Sequence, residues 1–324
     1  MEKMNANEWV HYENGNYTVS INLNDGTKIR ENDLDFFDAA FPESMDLKIT
    51  NRCTDPLGPG CGNCKFCHEN SGPCGKHGDI MSPSFIDKLH PYTEISIGGG
   101  DALEHPDLLP FLVKLKQLRI IPSITVHQNH FMQNLPLIRK LRDEKLVYGI
   151  GISLVDPDQE GFIDMVKEFP NAVIHVINGI VTMPQLEILA KSDLKILILG
   201  YKEVRRGKTL YDNDEERKNI EALKNDLYTY LPEIVNDGWF NVISFDNLAI
   251  KQLNPQRLMS KSKWDEMYMG DDGIDGEQTS ASMFVDMVER KFARNSCAPL
   301  NERFDILDDI KDMYQTLKYK DKEE

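Results

Sequence analysis

The sequence predicts an α/β protein: a partial (βα)6 barrel preceded by an N-terminal β-meander and followed by a mostly helical C-terminal extension. Two observations carry this expectation. From about residue 45, short apolar segments alternate six times with longer stretches of helical period, the rhythm of parallel strands joined by outer helices. Before them, the first 31 residues place turn signals at Glu13–Asn16 and Asn24–Gly26 on either side of the alternating segment Tyr17–Leu23, the pattern of hairpins. An open doubly wound sheet is the competing architecture, because hydrophobic period alone does not say whether a parallel sheet curls.

In order, the strands are expected at Asp46–Thr50, Glu94–Gly98, Ser123–His127, Tyr148–Ser153, Ala172–Ile177 and Lys195–Gly200. Helices are expected at Ser84–Leu89, Asp107–Leu118, Leu135–Asp143, Gln159–Glu168 and Pro184–Ser192, with Pro106 and Pro184 where a first helical turn tolerates proline. Asp214–Val235 reads as a long amphipathic helix with Ile220, Leu223, Leu227 and Leu231 on one face. Asn241–Phe245 reads as a seventh strand, Met269–Glu277 as an acidic glycine-rich loop, and Ser282–Arg294 as a further helix. The expected division is a meander over 1–44, a core barrel over 45–205, and barrel completion with a helical extension over 206–324.

The net charge of −16 disfavours a nucleic-acid polymer as partner, since the chain has no basic surplus to meet a phosphate backbone. No run of about 18 apolar residues predicts a membrane helix. The segment Met1–Asn5 lacks the apolar core of a signal peptide, so a cytoplasmic location is expected. In that setting disulfides do not account for cysteines at 53, 61, 64, 67 and 74, and metal is the better explanation.

The first barrel strand runs directly into Asn51-Arg52-Cys53. Functional residues of such barrels gather in the loops after strand C-termini, and thiolates are the usual ligands of iron–sulfur clusters. A strand ending in Asn-x-Cys, followed by Cys64-Lys65-Phe66-Cys67, resembles the cluster loop of the radical S-adenosylmethionine (SAM) superfamily. That family spaces its cysteines Cys-x3-Cys-x2-Cys. Here Cys64 and Cys67 match the second half, with Phe66 as the aromatic before the last ligand. Ten residues separate Cys53 from Cys64, and the prolines and glycines among them read as a loop insertion. The resemblance implies a TIM-like partial barrel that holds a [4Fe-4S] cluster on Cys53, Cys64 and Cys67 and leaves one iron open to SAM. It further implies reductive cleavage of SAM to a 5′-deoxyadenosyl radical, hydrogen abstraction from a small-molecule, nucleoside or peptide substrate, and a reducing partner such as flavodoxin or ferredoxin.

Two alternatives stay open. Cys61-x2-Cys64-x2-Cys67 resembles a bacterial ferredoxin run with Cys74 as fourth ligand, though it lacks that run's Cys-Pro ending. Cys61, Cys64, Cys67, Cys74, His68 and His77 supply the donors of a structural zinc site in a non-enzymatic binding module.

The second barrel strand ends in Gly98-Gly99-Gly100-Asp101, where glycines let backbone approach a ligand closely. This is similar to the Gly-Gly-Glu motif of the same superfamily, which binds the amino group of SAM, with Asp101 as the acid. The resemblance also places Ser153, at the end of the fourth strand, near the ribose, and Ile177–Asn178 and Leu199–Tyr201 beside the adenine. His105 reads as a helix-start residue. Lys202, Arg205, Arg206 and Lys208 form a basic patch that suits either a substrate carboxylate or phosphate, or a solvated loop. Cys297 lines the substrate cavity, joins a second metal site, or is a half-buried thiol. No catalytic residue beyond the cofactor ligands is assigned.

Overall fold

The computed structural model describes residues 9–34, 36–54, 64–268 and 281–320. Strands β1 (Trp9–Asn14), β2 (Tyr17–Asn22) and β3 (Lys28–Glu31) form the expected antiparallel meander. It is tied to the barrel entrance through Glu43, whose side chain is 1% exposed. Arg30 donates to both carboxylate oxygens, at 2.9 and 2.7 Å, Lys28 lies 3.1 Å away, and the Tyr17 hydroxyl donates at 2.5 Å. Burial alone would raise the Glu43 pKa, but Arg30 and Lys28 hold it below the usual carboxylate range.

The barrel strands are β4 (Ser44–Thr50), β5 (Glu94–Gly99), β6 (Ile121–His127), β7 (Gly149–Ser153), β8 (Ala172–Ile177), β9 (Lys195–Leu199) and β10 (Val242–Phe245). A 3₁₀ turn at Ser84–Lys88, α1 (Leu108–Gln117), α2 (Gln128–Gln133), α3 (Leu135–Asp143), α4 (Phe162–Lys167), α5 (Met183–Leu189), α6 (Arg205–Tyr211) and α7 (Asp214–Asn236) connect them. Helices α8 (Asn247–Leu253), α9 (Lys261–Met267) and α10 (Ile310–Lys320) follow.

Strand order decides between the two candidate architectures. The sheet runs β10-β9-β8-β7-β6-β5-β4, every neighbour parallel and consecutive in the chain. Right-handed crossovers between consecutive neighbours put all the helices on one face, so the sheet curls instead of being covered on both sides. A doubly wound sheet needs a reversal of strand order, and there is none. Among the described residues the sheet does not close on itself.

Burial follows the same logic. Ile95, Ile97, Ile124, Ile152, Ile174 and Ile198 point under the helices and are fully buried. The intervening residues, Ser96, Ser123, Thr125, Val173 and His175, are half-buried or exposed and line the hollow of the barrel.

One expectation is corrected. Ser282–Arg294 is not a helix but a hairpin, β11 (Ser282–Asp286) and β12 (Lys291–Ala293), followed by the short β13 (Phe304–Asp305). Strand β11 adds in parallel to the open edge of β4, and β12 and β13 continue the sheet antiparallel. The segment is locally compatible with a helix. Pairing with an edge some 240 residues earlier in the chain overrides that preference, because it supplies a full backbone ladder and buries Met283 and Val285. No helix among the described residues is long and apolar enough to cross a membrane.

Candidate functional site

Strand β4 delivers Asn51–Thr54 to the C-terminal edge of the barrel, and the chain that returns after the cysteines braces them. The Cys53 amide donates to the Gly72 carbonyl, and the Gly72 amide to the Asn51 carbonyl, both at 3.0 Å. The Cys67 amide donates to the Cys64 carbonyl at 3.1 Å, so those two cysteines share one turn. Cys53, Cys64 and Cys67 are half-buried, whereas Cys74 is exposed. Cys61 and the proline- and glycine-rich insert lie outside the described residues. Among the described residues no three Cys, His, Asp or Glu side chains converge as a preformed metal cage. Of the remaining zinc donors, His77 is engaged through Nδ1 with the Thr50 hydroxyl at 3.0 Å, and His68 lies 3.3 Å from Glu69.

The glycine loop of β5 packs directly on this edge. The Gly100 amide donates to the Thr50 carbonyl and the Asp101 amide to the Arg52 carbonyl, each at 2.8 Å. A Cβ on Gly99 would lie 2.1 Å from the Thr50 oxygen, and one on Gly100 2.0 Å from the Arg52 oxygen. Gly98 differs: a Cβ there would meet nothing within 4 Å. Two of the three glycines therefore fit strand to loop, and the third borders open space.

Asp101 is 4% exposed and caps the 3₁₀ turn Ala102–Glu104, with Oδ1 accepting from the Leu103 amide at 3.0 Å. Its Oδ2 lies 3.0 Å from Nδ1 of His130 on α2, and Nε2 of His130 donates to the Thr54 carbonyl at 2.8 Å. Both imidazole nitrogens face acceptors, which calls for the doubly protonated ring. Burial pushes the His130 pKa down, but Asp101 and the Thr54 carbonyl more than offset this and raise it. The carboxylate expected to meet SAM thus braces the loop that carries Cys53.

Breaking this pair leaves one buried charge without a counterion. His130→Ala is expected to cost about 3–5 kcal/mol. Because the folded-state pKa lies above the unfolded one, the contribution is fully present below the unfolded value. It is lost as pH rises through the folded value. The melting temperature should therefore fall more steeply as pH rises above the ordinary histidine range in the native protein than in His130→Gln, as read by calorimetry.

The residues of the basic patch have partners within the protein. Arg205 donates to Glu69 at 3.0 Å and to the His68 carbonyl at 3.3 Å, and Arg206 donates to the Ser71 carbonyl at 2.5 Å. Lys208 pairs with Asp212, and Lys202 with the Ser296 hydroxyl at 3.0 Å. Helix α6 thereby clamps the chain just after Cys67. Phe66 is half-buried, and its carbonyl lies 3.4 Å from where a Gly207 Cβ would sit. The Lys202–Ser296 contact places the half-buried Cys297 in a segment beside the end of β9. His105 is a structural residue: Nδ1 accepts from the Asp107 amide and Nε2 donates to the Gly78 carbonyl.

Ser153 ends β7 on the hollow side, in register between His127 of β6 and His175 of β8. The His175 ring lies across Gly151, and burial pushes its pKa down to about 4, so it is neutral near pH 7. Sequence reasoning missed Lys48, Glu69, His130, His175 and Asp286. One signal for Lys48 was available: Asp46, Lys48 and Thr50 alternate with Met45, Leu47 and Ile49, which marks a polar inner face.

The fold, with the cysteine and glycine loops at its C-terminal edge, is shared with solved structures of low sequence identity. SuiB of Streptococcus suis bound to S-adenosylmethionine superposes with a TM-score of 0.54 at 14% identity, over 90% of this chain and 82% of that one. The same protein bound to its precursor peptide SuiA gives 0.52 at 14% identity over the same shares. The structure of anSMEcpe with bound AdoMet gives 0.52 at 16% identity, over 85% of this chain and 80% of that one. No family model matches the sequence, nor does any curated protein.

Proposed function

We propose that this protein is a radical SAM enzyme that holds a [4Fe-4S] cluster on Cys53, Cys64 and Cys67. The observation that carries the reading is the position of three half-buried thiols on one braced loop leaving the first barrel strand, against the glycine loop of the second. A donor set of three thiolates suits such a cluster and leaves one iron for SAM. When bound, the cluster and SAM supply a 5′-deoxyadenosyl radical that abstracts hydrogen from substrate. The chain's own residues place and protect that chemistry. Gly98 offers backbone at the open side of the loop, Asp101 and His130 fix the loop's shape, and Ser153 presents a hydroxyl to the ribose.

Among small-molecule, nucleoside and peptide substrates, the peptide reading has the most support. The structural neighbours include SuiB bound to the precursor peptide SuiA, and the hollow here is lined mostly by polar residues, Ser96, Ser123, Thr125 and His175 beside Val173. An external donor such as flavodoxin or ferredoxin provides the electron.

Anaerobic purification tests the proposal. The protein should be brown, carry about four irons per chain, and give a reduced-cluster EPR signal that changes when SAM is added. It should also release 5′-deoxyadenosine when a reductant is supplied. A colourless protein carrying one zinc and yielding no 5′-deoxyadenosine would overturn it.

A further inference from the structure

Beneath the cysteine loop lies a charged network that the reading above does not use. Lys48 projects from the inner face of β4, between Leu47 and Ile49, which point under the helices. Its Nζ is 2.8 Å from Oε2 of Glu69 and 2.9 Å from Oδ2 of Asp286, the last residue of β11. The three side chains are 2%, 7% and 0% exposed.

Each carboxylate is held again from outside the pair. Glu69 also receives Arg205 of α6. The other oxygen of Asp286 accepts the Val288 and Glu289 amides, each at 3.0 Å, and Arg303 stands 4.0 Å from Oδ2.

A buried ion pair is a poor way to stabilise a barrel. Apolar side chains of the same volume usually serve as well, because desolvating both charges costs several kcal/mol. What charges offer instead is a directional contact that fixes one arrangement. Here the two ends of the contact belong to different parts of the site. Lys48 sits two residues before the end of the strand that carries Cys53, and Glu69 sits two residues after Cys67.

We infer that the Lys48–Glu69 pair is a positioning device that keeps the Cys64–Cys67 turn over the end of β4, opposite Cys53, before any metal is bound. Helix α6 holds the chain just after this turn, through Arg205 on Glu69 and the His68 carbonyl and Arg206 on the Ser71 carbonyl. This rests on the cluster ligation proposed above. It adds that the loop is set by a buried cation of the barrel wall and not by the metal alone.

The test uses the full chain, with Lys48→Met, Glu69→Gln and the double variant beside the native protein. Circular dichroism and melting report the fold. Alkylation of Cys64 and Cys67 by iodoacetamide in metal-free protein, followed by peptide mass spectrometry, reports the turn. Iron per chain after anaerobic reconstitution reports the cluster.

In folded Lys48→Met, alkylation of both cysteines should accelerate by about tenfold, because the turn opens locally while the rest of the chain stays folded. Retained iron should fall at least about threefold, and the double variant should be little worse than either single one. Unchanged alkylation and full iron in folded Lys48→Met would overturn the inference. If Lys48→Met does not fold, Glu69→Gln decides, since that residue lies on the loop and not in a strand. A native protein that takes up no four-iron cluster would instead overturn the functional reading, while the alkylation arm still judges the positioning claim.

Discussion

Replacing Cys53, Cys64 or Cys67 singly with alanine should take iron from about four per chain to near zero, and remove 5′-deoxyadenosine formation with it. A cluster with an open iron has only three protein ligands, so none is redundant. The corresponding changes at Cys61 and Cys74 should leave iron content near the native value. For Cys74 the reason is visible: it is exposed, beyond the Gly72 brace that ties Cys53 to the returning chain. Iron counted by colorimetric assay and cluster absorption near 400 nm both read this out. If Cys61→Ala loses the cluster and Cys53→Ala keeps it, the strand-end ligand has been misassigned and the ferredoxin-like run is the correct one.

The second large effect concerns three adjacent glycines that sequence alone treats alike. Gly99→Ala and Gly100→Ala should each cost about 3 kcal/mol or more, whereas Gly98→Ala should cost less than about 1 kcal/mol. Gly99 has φ of +125°, a region that side chains avoid, and its Cβ would strike the Thr50 carbonyl. At Gly100 the obstruction is the Arg52 carbonyl. Neither oxygen can withdraw cheaply, because each accepts an amide hydrogen bond from this same loop. Thermal melting separates the three variants. Gly98→Ala then probes the cofactor: melting should be near native while SAM binding, followed by calorimetric titration, weakens. Native SAM affinity in that variant would remove Gly98 from the cofactor site.

Much of the barrel was legible because its signals are local. Leu135–Asp143 and Ala172–Ile177 were bounded to the residue, since period and flanking turn residues act within a few positions. The long helix after 213 was also clear, with Asn213 capping its start through the Glu215 and Glu216 amides. The hairpin at β11 and β12 was not, because its identity depends on an edge of β4 far away in sequence.

The site divides the same way. Spacing and turn chemistry located the cysteine and glycine loops, the resemblance gave Asp101 a role at the cofactor, and the basic patch was open between a substrate anion and a solvated loop. Packing adds partners within the protein that no local pattern announced: His130 for Asp101, and the chain from His68 to Ser71 for Arg205 and Arg206.

By itself, then, the sequence determined the order of the parallel strands β4 to β10 and the two loops at the C-terminal edge. These depend on residue type and short-range period. Only the tertiary structure decided that the sheet curls with its helices on one face, that β11 completes the edge beside β4, and that Lys48, Glu69 and Asp286 meet beneath the cysteines. Those outcomes turn on strand pairing and on buried charges finding each other across 238 residues of chain, and no local pattern encodes such a contact.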